Sequence, residues 1–444
     1  MVRPRWIQRP CGPCAHVPRM LLTGMLVASL ASCGPDAARQ EAAIRHQADT
    51  RVPPGLPGEP AEREADRGLL TPEQIRDIRR AVESAGGTIQ CDAEGQPRIV
   101  DLAVGRGSAD STAIRAAVSC RRLVVLRLRA EKLTREELSA IRSLGTLEEL
   151  MLHDAAIDDD LLAELSGSLT RLKRLTLRNT PNVTDRGAAS LAQARQLTHL
   201  ALIELRVTGE SLRALASLPS LVSLDVRMCS GIRGSDLALL RDAPNLGELK
   251  LGGYAIDDAA VRVVADLPHL QELVVEDGAI SSVGLADLAA STEFAGRVRS
   301  LHFARCAGLT DDALALVSAF PNLRELSLRD IPTVGTFLDK LPKPGRLELL
   351  ALSRTFLTED AFASIAAFTY LKRLELARVP LTRQSLEHVS RLAHLEYLDV
   401  SECGLNDQAL QPLAALDKLK RVILDGNPEI SAQVLERWTG KQHP

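Results

Sequence analysis

Few residues in this sequence are placed to do chemistry, and each small cluster has a plainer explanation. Cys11 and Cys14 are spaced C-x-x-C, as in a dithiol redox couple. Such a couple needs a helix N-terminus behind a strand to lower its thiol pKa, and no strand pattern precedes it here. Asp158, Asp159 and Asp160 are consecutive acids that could suggest calcium. No spaced oxygen ligands or glycine turn follow them, and the positive end of a helix dipole accounts for them better. His388 and His394 lie close in sequence with no third ligand, and read as surface residues. There is no H-E-x-x-H, no Walker-type phosphate loop and no G-x-S-x-G. The expectation is a non-enzyme with no catalytic set, no metal, no cofactor and no small-molecule substrate.

The elements that would carry a function must therefore be found by other means. The chain has 444 residues, 45% hydrophobic but only 3% aromatic, so its core must be aliphatic and finely layered. A formal net charge of -3 argues against nucleic acid, which calls for a concentrated basic excess. Eight cysteines in this length are too few for a disulfide scaffold.

The N-terminus reads as an address. Arg3, Arg5, Arg9 and Arg19 precede an apolar run from Met20 to Leu30, far shorter than the roughly 20 residues a membrane span needs and of signal-peptide length. It ends in Leu30-Ala31-Ser32-Cys33-Gly34, which resembles the lipobox of bacterial lipoproteins. The resemblance implies cleavage before Cys33, acylation of that cysteine and anchoring to a membrane of the bacterial cell envelope; the outer membrane is favoured over the inner, with the choice of membrane and leaflet left open. More than one acyl chain suffices for stable anchoring. The Cys11–Cys14 pair would leave with the leader (residues 1–32). Residues 33–67, centred on Pro53-Pro54-Gly55-Leu56-Pro57, have the composition of a disordered tether, with an average reach of about 30–35 Å if flexible.

From residue 99 onward the pattern L-x-x-L-x-L recurs about fourteen times. It includes Leu123/Leu126/Leu128, Leu147/Leu150/Leu152, Leu172/Leu175/Leu177, Leu323/Leu326/Leu328 and Leu371/Leu374/Leu376, mostly 24 or 25 residues apart. Each short strand is followed by an apolar residue, then Thr, Ser or Asp, then an amphipathic stretch, as in Leu309-Thr310-Asp311-Asp312-Ala313-Leu314. The hydroxyl or acid can N-cap a helix. No single strand–helix unit can bury its apolar side alone, so neighbours must stack.

This pattern resembles the leucine-rich-repeat superfamily, in its cysteine-containing, ribonuclease-inhibitor-like type. Cys229, Cys306 and Cys403 fall eight residues after the first strand position, with Asn427 in the same place. Most other repeats depart from the type there. The resemblance covers roughly residues 99–435 and implies an α/β right-handed solenoid, a horseshoe with parallel strands on the concave face and helices on the convex face. Residues 68–98 read as an N-terminal helix and hairpin cap, and Trp438 as a cover for the last layer. At about 4.8 Å per repeat the three in-phase cysteines are too far apart to bridge, which leaves Cys91 and Cys120 as a possible pair.

Fourteen strands would make an arc near 65 Å long, suited to a protein partner. Residues between the leucines face solvent. The contact candidates are Arg127, Arg129, His153, Arg178, Arg227, Lys250, Glu276, His302, Arg329, Arg354 and Arg378. Gly252-Gly253 would let a partner approach the backbone. Two repeats are irregular, one with four extra residues around Ser291–Gly296 and one broken by Pro342-Lys343-Pro344-Gly345. The expected function is a lipid-anchored, non-catalytic protein-binding scaffold. The alternatives are an F-box-like substrate adaptor of a ubiquitin ligase, by family analogy, or a structural envelope protein.

Overall fold

The computed structural model describes residues 69–439 apart from 105, 106 and 344. The leader, Cys33 and the tether lie outside the described residues. The described chain forms one fifteen-stranded sheet whose strands follow sequence order, from β1 (Thr88–Cys91) and β2 (Pro97–Leu102) to β15 (Arg421–Ile423). β1 and β2 are an antiparallel hairpin, and every later pairing is parallel. The register follows the leucines: Leu126, Leu150, Leu175, Leu200 and Leu224 are successive partners. Each strand is returned to its neighbour by a short helix on one side of the sheet. This is the α/β leucine-rich-repeat solenoid that the periodicity implies.

The cap helix Pro72–Ser84 starts with a capping box between Thr71 and Gln74 and has Pro at its first turn, where the missing N–H costs nothing. It packs Ile78 and Val82 inward, and at the opposite end Trp438 is buried. Not every return segment is a full α-helix. Gly234–Asp242, Ala315–Ala319, Thr336–Lys340 and Gln411–Ala415 are wound as the tighter 3₁₀ helix.

Two devices hold successive returns in register. At the start of one helix an acid accepts from the cap of the next. Asp159 accepts from the Thr184 amide and hydroxyl, both at 2.7 Å. Asp185 does the same for Thr208, and Asp258 for Ser281. Glycines make room for the acids: a Cβ on Gly187 would lie 2.4 Å from Asp159 Oδ1, and one on Gly284 2.4 Å from Asp258 Oδ1. The acids at helix starts, readable as dipole partners, thus also bind across repeats. The second device is a left-handed residue shortly after each strand from Glu149–His153 onward, at Asp154, Asn179, Glu204, Met228, Gly253, Asp277 and on to Gly426.

The in-phase cysteines Cys229, Cys306 and Cys403 are buried free thiols. Each Sγ faces a carbonyl of the preceding repeat, as Cys229 does Leu202 O at 3.0 Å and Cys403 Leu376 O at 3.1 Å. Burial pushes these thiols up to about 12 for Cys229 and about 11 for Cys306 and Cys403, which makes them unreactive packing groups. Asn427 serves the same position with two donated hydrogen bonds, to Val400 O and Leu424 O. Cys91 and Cys120 are both free thiols in the structure.

Candidate functional site

The sheet face opposite the helices carries side chains in columns set by strand register. One column runs Arg129, His153, Arg178, Ile203 and, further on, Gly252, Glu276, Ala304, Arg329. The column beside it runs Arg127, Met151, Thr176, Ala201, Asp225, Lys250, Val274 and His302. Eight of the eleven contact candidates therefore stand in these columns, and Arg227, two residues past its strand's end at Asp225, joins them through its ion pair with Glu276. Arg354 and Arg378 do not. Their strands end at Ala351 and Glu375, and both residues occupy the left-handed turn at the rim. They stand one place further along the repeat than the face positions, where Asp154 and Asn179 stand in earlier repeats.

The cations are mostly committed to neighbouring acids. Arg127 bridges Asp101 at 3.3 Å and Glu149 at 2.7 Å. Arg178 meets Glu204, Arg354 meets Asp330 and Arg378 meets Glu402. Arg129 Nε donates to His153 Nδ1 at 3.1 Å, which places the imidazole proton on Nε2, 3.4 Å from Asp154. Burial, aided by the arginines, holds His153 below its ordinary value, consistent with that neutral tautomer. Arg329 has no side-chain partner among the described residues.

Gly252 has a role other than admitting a partner. Its absent Cβ would lie 3.3 Å from Arg227 Cβ and Cγ, so the Arg227 side chain crosses that strand. It reaches Glu276 at 2.5 Å on the strand beyond while holding Asp225 at 2.8 Å. Burial opposes the charge on Arg227, but the two carboxylates override it and raise the pKa. Glu276 is shared with Arg305. Gly252 thus makes room for a cross-strand ion network, while open space surrounds Gly253.

Sequence reasoning missed the column nearest the strand starts, although its signal was present: Glu precedes the second leucine in Glu149-Leu150, Glu248-Leu249, Glu272-Leu273 and Glu325-Leu326. Glu248 and Glu272 are register partners. Burial and the Glu248 charge push Glu272 up to about 8, so it is protonated at neutral pH. Lys250 sits 2.7 Å from Glu248. His302 bonds Ser300 at 2.6 Å and lies 3.9 and 3.8 Å from Glu272 and Glu325. Burial and Lys250 push it down to about 4. The middle of the face is therefore a half-buried cluster of interacting titratable groups. Among the described residues no group of three or more His, Cys, Asp or Glu is arranged to hold a metal ion, and no helix is long and apolar enough to cross a membrane.

A family model described as Leucine Rich repeat matches residues 391–414, one unit of a pattern the whole sheet repeats. The chain is a leucine-rich-repeat protein. None of its similarities indicates a catalytic family. This leucine-rich-repeat chain is 33% identical over 172 residues to Antagonist of mitotic exit network protein 1 of Eremothecium gossypii, a match covering 36% of this chain and 43% of that protein. The chain thus spans less than half the length of that curated relative. Among solved structures, an internalin of Listeria monocytogenes aligns at 20% identity and TM-score 0.40, covering 80% of this chain and 96% of the other. TLR13 in its complex with ssRNA13 aligns at 20% and 0.47, covering 70% and 47%. The Rad7 and Elc1 complex of yeast aligns at 16% and 0.47, covering 93% and 96%.

Proposed function

We propose that this leucine-rich-repeat chain is a lipid-anchored envelope protein that binds a protein partner on its open sheet face and performs no catalysis. The observation that carries the reading is the in-register face itself, with charged side chains fixed by ion pairs to their neighbours. Charges held in place lose little side-chain freedom on binding, and complementary fixed charges select partners. The extended surface suits a macromolecule better than a small ligand. The anchor rests on the leader and Cys33.

The test uses the full-length tagged chain as bait for solubilised envelope proteins. A partner so found is then titrated directly against native chain and a variant with Arg127, Arg129, Arg178 and Arg227 changed to Glu. Loss of affinity with an unchanged circular dichroism spectrum supports the face as the site. Equal binding by both moves the site elsewhere on the solenoid. The anchor is tested separately with Cys33→Ala, which should release the chain from membranes and remove the acyl mass. A variant that stays membrane-bound at unchanged mass sinks the lipoprotein reading.

A further inference from the structure

We propose that the sheet edge beside the inserted repeat is an oxyanion pocket that takes a phosphate-class dianion. Arg297, Arg299, Arg324 and Arg346, from three consecutive repeats, converge there with Asn322 and Gln271 around a cavity of about 210 Å³. No acidic side chain lines it.

The contrast with the rest of this edge is what points to a ligand. Elsewhere the position after the first strand leucine is either uncharged, as in Thr198, Val222, Gly247 and Gln271, or sets opposite charges side by side. Glu148 pairs with Lys173 at 2.9 Å, Glu348 with Lys372 at 2.7 Å and Glu396 with Lys420 at 2.8 Å. At the pocket the same position holds Arg299 and then Arg324 on adjacent strands, and like charges side by side are destabilising. Arg324 has Glu348 on its far side at 3.1 Å, an acid already shared with Lys372. Arg299 and Arg346 have no carboxylate partner among the described residues.

The other groups act as a frame. Arg297 donates through Nε and Nη2 to the carbonyls of Leu270 and Leu267, and through Nη1 to Glu293 O. Its charge is thereby fixed at the back of the pocket. Asn322 donates to Gly296 O and accepts from Arg346 Nη1, both at 2.8 Å, which tethers Arg346 beside the opening. The extra helix Thr292–Arg297 in this repeat supplies both Gly296 and Arg297.

Size and charge define the ligand. The cavity of about 210 Å³ is below the roughly 300–1,000 Å³ of pockets for drug-sized molecules, which suits one phosphate group with its waters. Guanidinium forks match phosphate oxygens in pairs. Several forks arriving from different strands suit a tetrahedral dianion better than a planar carboxylate with one charge.

The test is calorimetric titration of the full chain with inorganic phosphate at constant ionic strength, and in parallel sedimentation with phosphatidylcholine vesicles with and without phosphatidic acid. The leader-bound lipid is removed from the second arm by using Cys33→Ala. Saturable phosphate binding, weakened about tenfold or more in Arg299→Gln and in Arg346→Gln but unchanged in Arg206→Gln, supports the pocket. Binding to phosphatidic acid vesicles that follows the same variants assigns the source as a lipid headgroup, and free phosphate alone assigns a soluble ligand. No saturable binding in either arm, or equal losses in Arg206→Gln, overturns the proposal.

Discussion

The repeats between Leu147 and Leu270 and the segment from Ser291 to Phe368 solve the same stacking problem differently. In the first, the period is steady, the core is aliphatic, and acid-to-hydroxyl links tie one return to the next. In the second the returns vary. An extra helix, Thr292–Arg297, enters, and a 3₁₀ turn starts after Gly335 in a left-handed conformation. All seven phenylalanines of the chain lie between residues 294 and 368, and six are buried. Phe294 meets Phe320 edge-to-face at 6.2 Å. Asp311 keeps the acid link but spreads it over the Thr333 hydroxyl, the Val334 amide and the Phe337 amide. The strands are indifferent to this: Leu301, Leu326 and Leu350 remain register partners. Variation is absorbed on the return side, where larger rings fill the space that irregular turns leave.

The largest effect should come from removing one of those rings. Phe337→Ala, at a fully buried position, should cost about 3–5 kcal/mol. Repeats touch mainly their neighbours, so the loss should appear in hydrogen exchange as opening confined to the irregular segment. Uniformly faster exchange along the whole solenoid would show that the two regions are not separable.

The acid links offer a sharper test. Asp258→Ala strands both the amide and hydroxyl of Ser281, and should cost about 2–3 kcal/mol, each unmet group counting for roughly 1–3. Asp407→Ala, which loses only the Ser431 amide near the chain end, should cost about 1 kcal/mol or less. Denaturant melts of the two variants give the comparison, and equal losses would mean that the links are incidental. Two link acids, Asp159 and Asp311, are held below the ordinary carboxylate value; burial opposes this, but hydrogen bonds from Thr184 and from Val334 respectively outweigh it. Their stabilisation is complete above the unfolded value near 3.8 and fades as pH falls below it.

On the open face the sign of the pH dependence differs between groups. Glu272, pushed up to about 8, binds its proton more tightly folded than unfolded. Its contribution is full below the unfolded value near 4.5 and is lost as pH rises through 8. His302, pushed down to about 4, does the reverse, contributing above its unfolded value near 6.5 and losing that as pH falls towards 4. Glu272→Gln keeps the neutral form, so it should raise the melting temperature at pH 8.5 and leave it little changed at pH 4.5. An unchanged difference between the two pH values would remove Glu272 from the account.

Sequence periodicity carried most of the fold, because each leucine triad must bury and its spacing leaves one way to stack. The return segments were less legible. Whether Gly234–Asp242 winds as 3₁₀ or α depends on its neighbours, which local propensity does not encode. The site was legible as a face but not as a network. Arg227 and Glu276 stand 49 residues apart, and only the stacked strands reveal that Gly252 clears the path between them. The arginine pocket was hidden for the same reason, since Arg299, Arg324 and Arg346 are each ordinary alone.

The smallest effect concerns the left-handed turns at the rim. Asp, Asn and Gly tolerate that backbone, whereas a residue such as methionine is held there against a Cβ penalty. Met228 has φ 60 and is 47% exposed without ion pairs to lose, while Gly253 and Gly426 fill the same place in other repeats. Met228→Gly should therefore raise stability, but only by about 0.5–1 kcal/mol, because the glycine also gains freedom in the unfolded chain. The same change at Asp154 or Asn179 should be close to neutral or unfavourable. Asp154 receives Asn179 Nδ2 at 2.7 Å, so the side chains there bind across the turn as well as accepting its geometry. A denaturant midpoint that rises for Met228→Gly and falls for Asp154→Gly would show that the rim is held by geometry in one repeat and by side-chain bonds in another. A fall in both would mean that Met228 is kept for its contacts, and the exposed rim beside Gly253 would then be the place to look for what it touches.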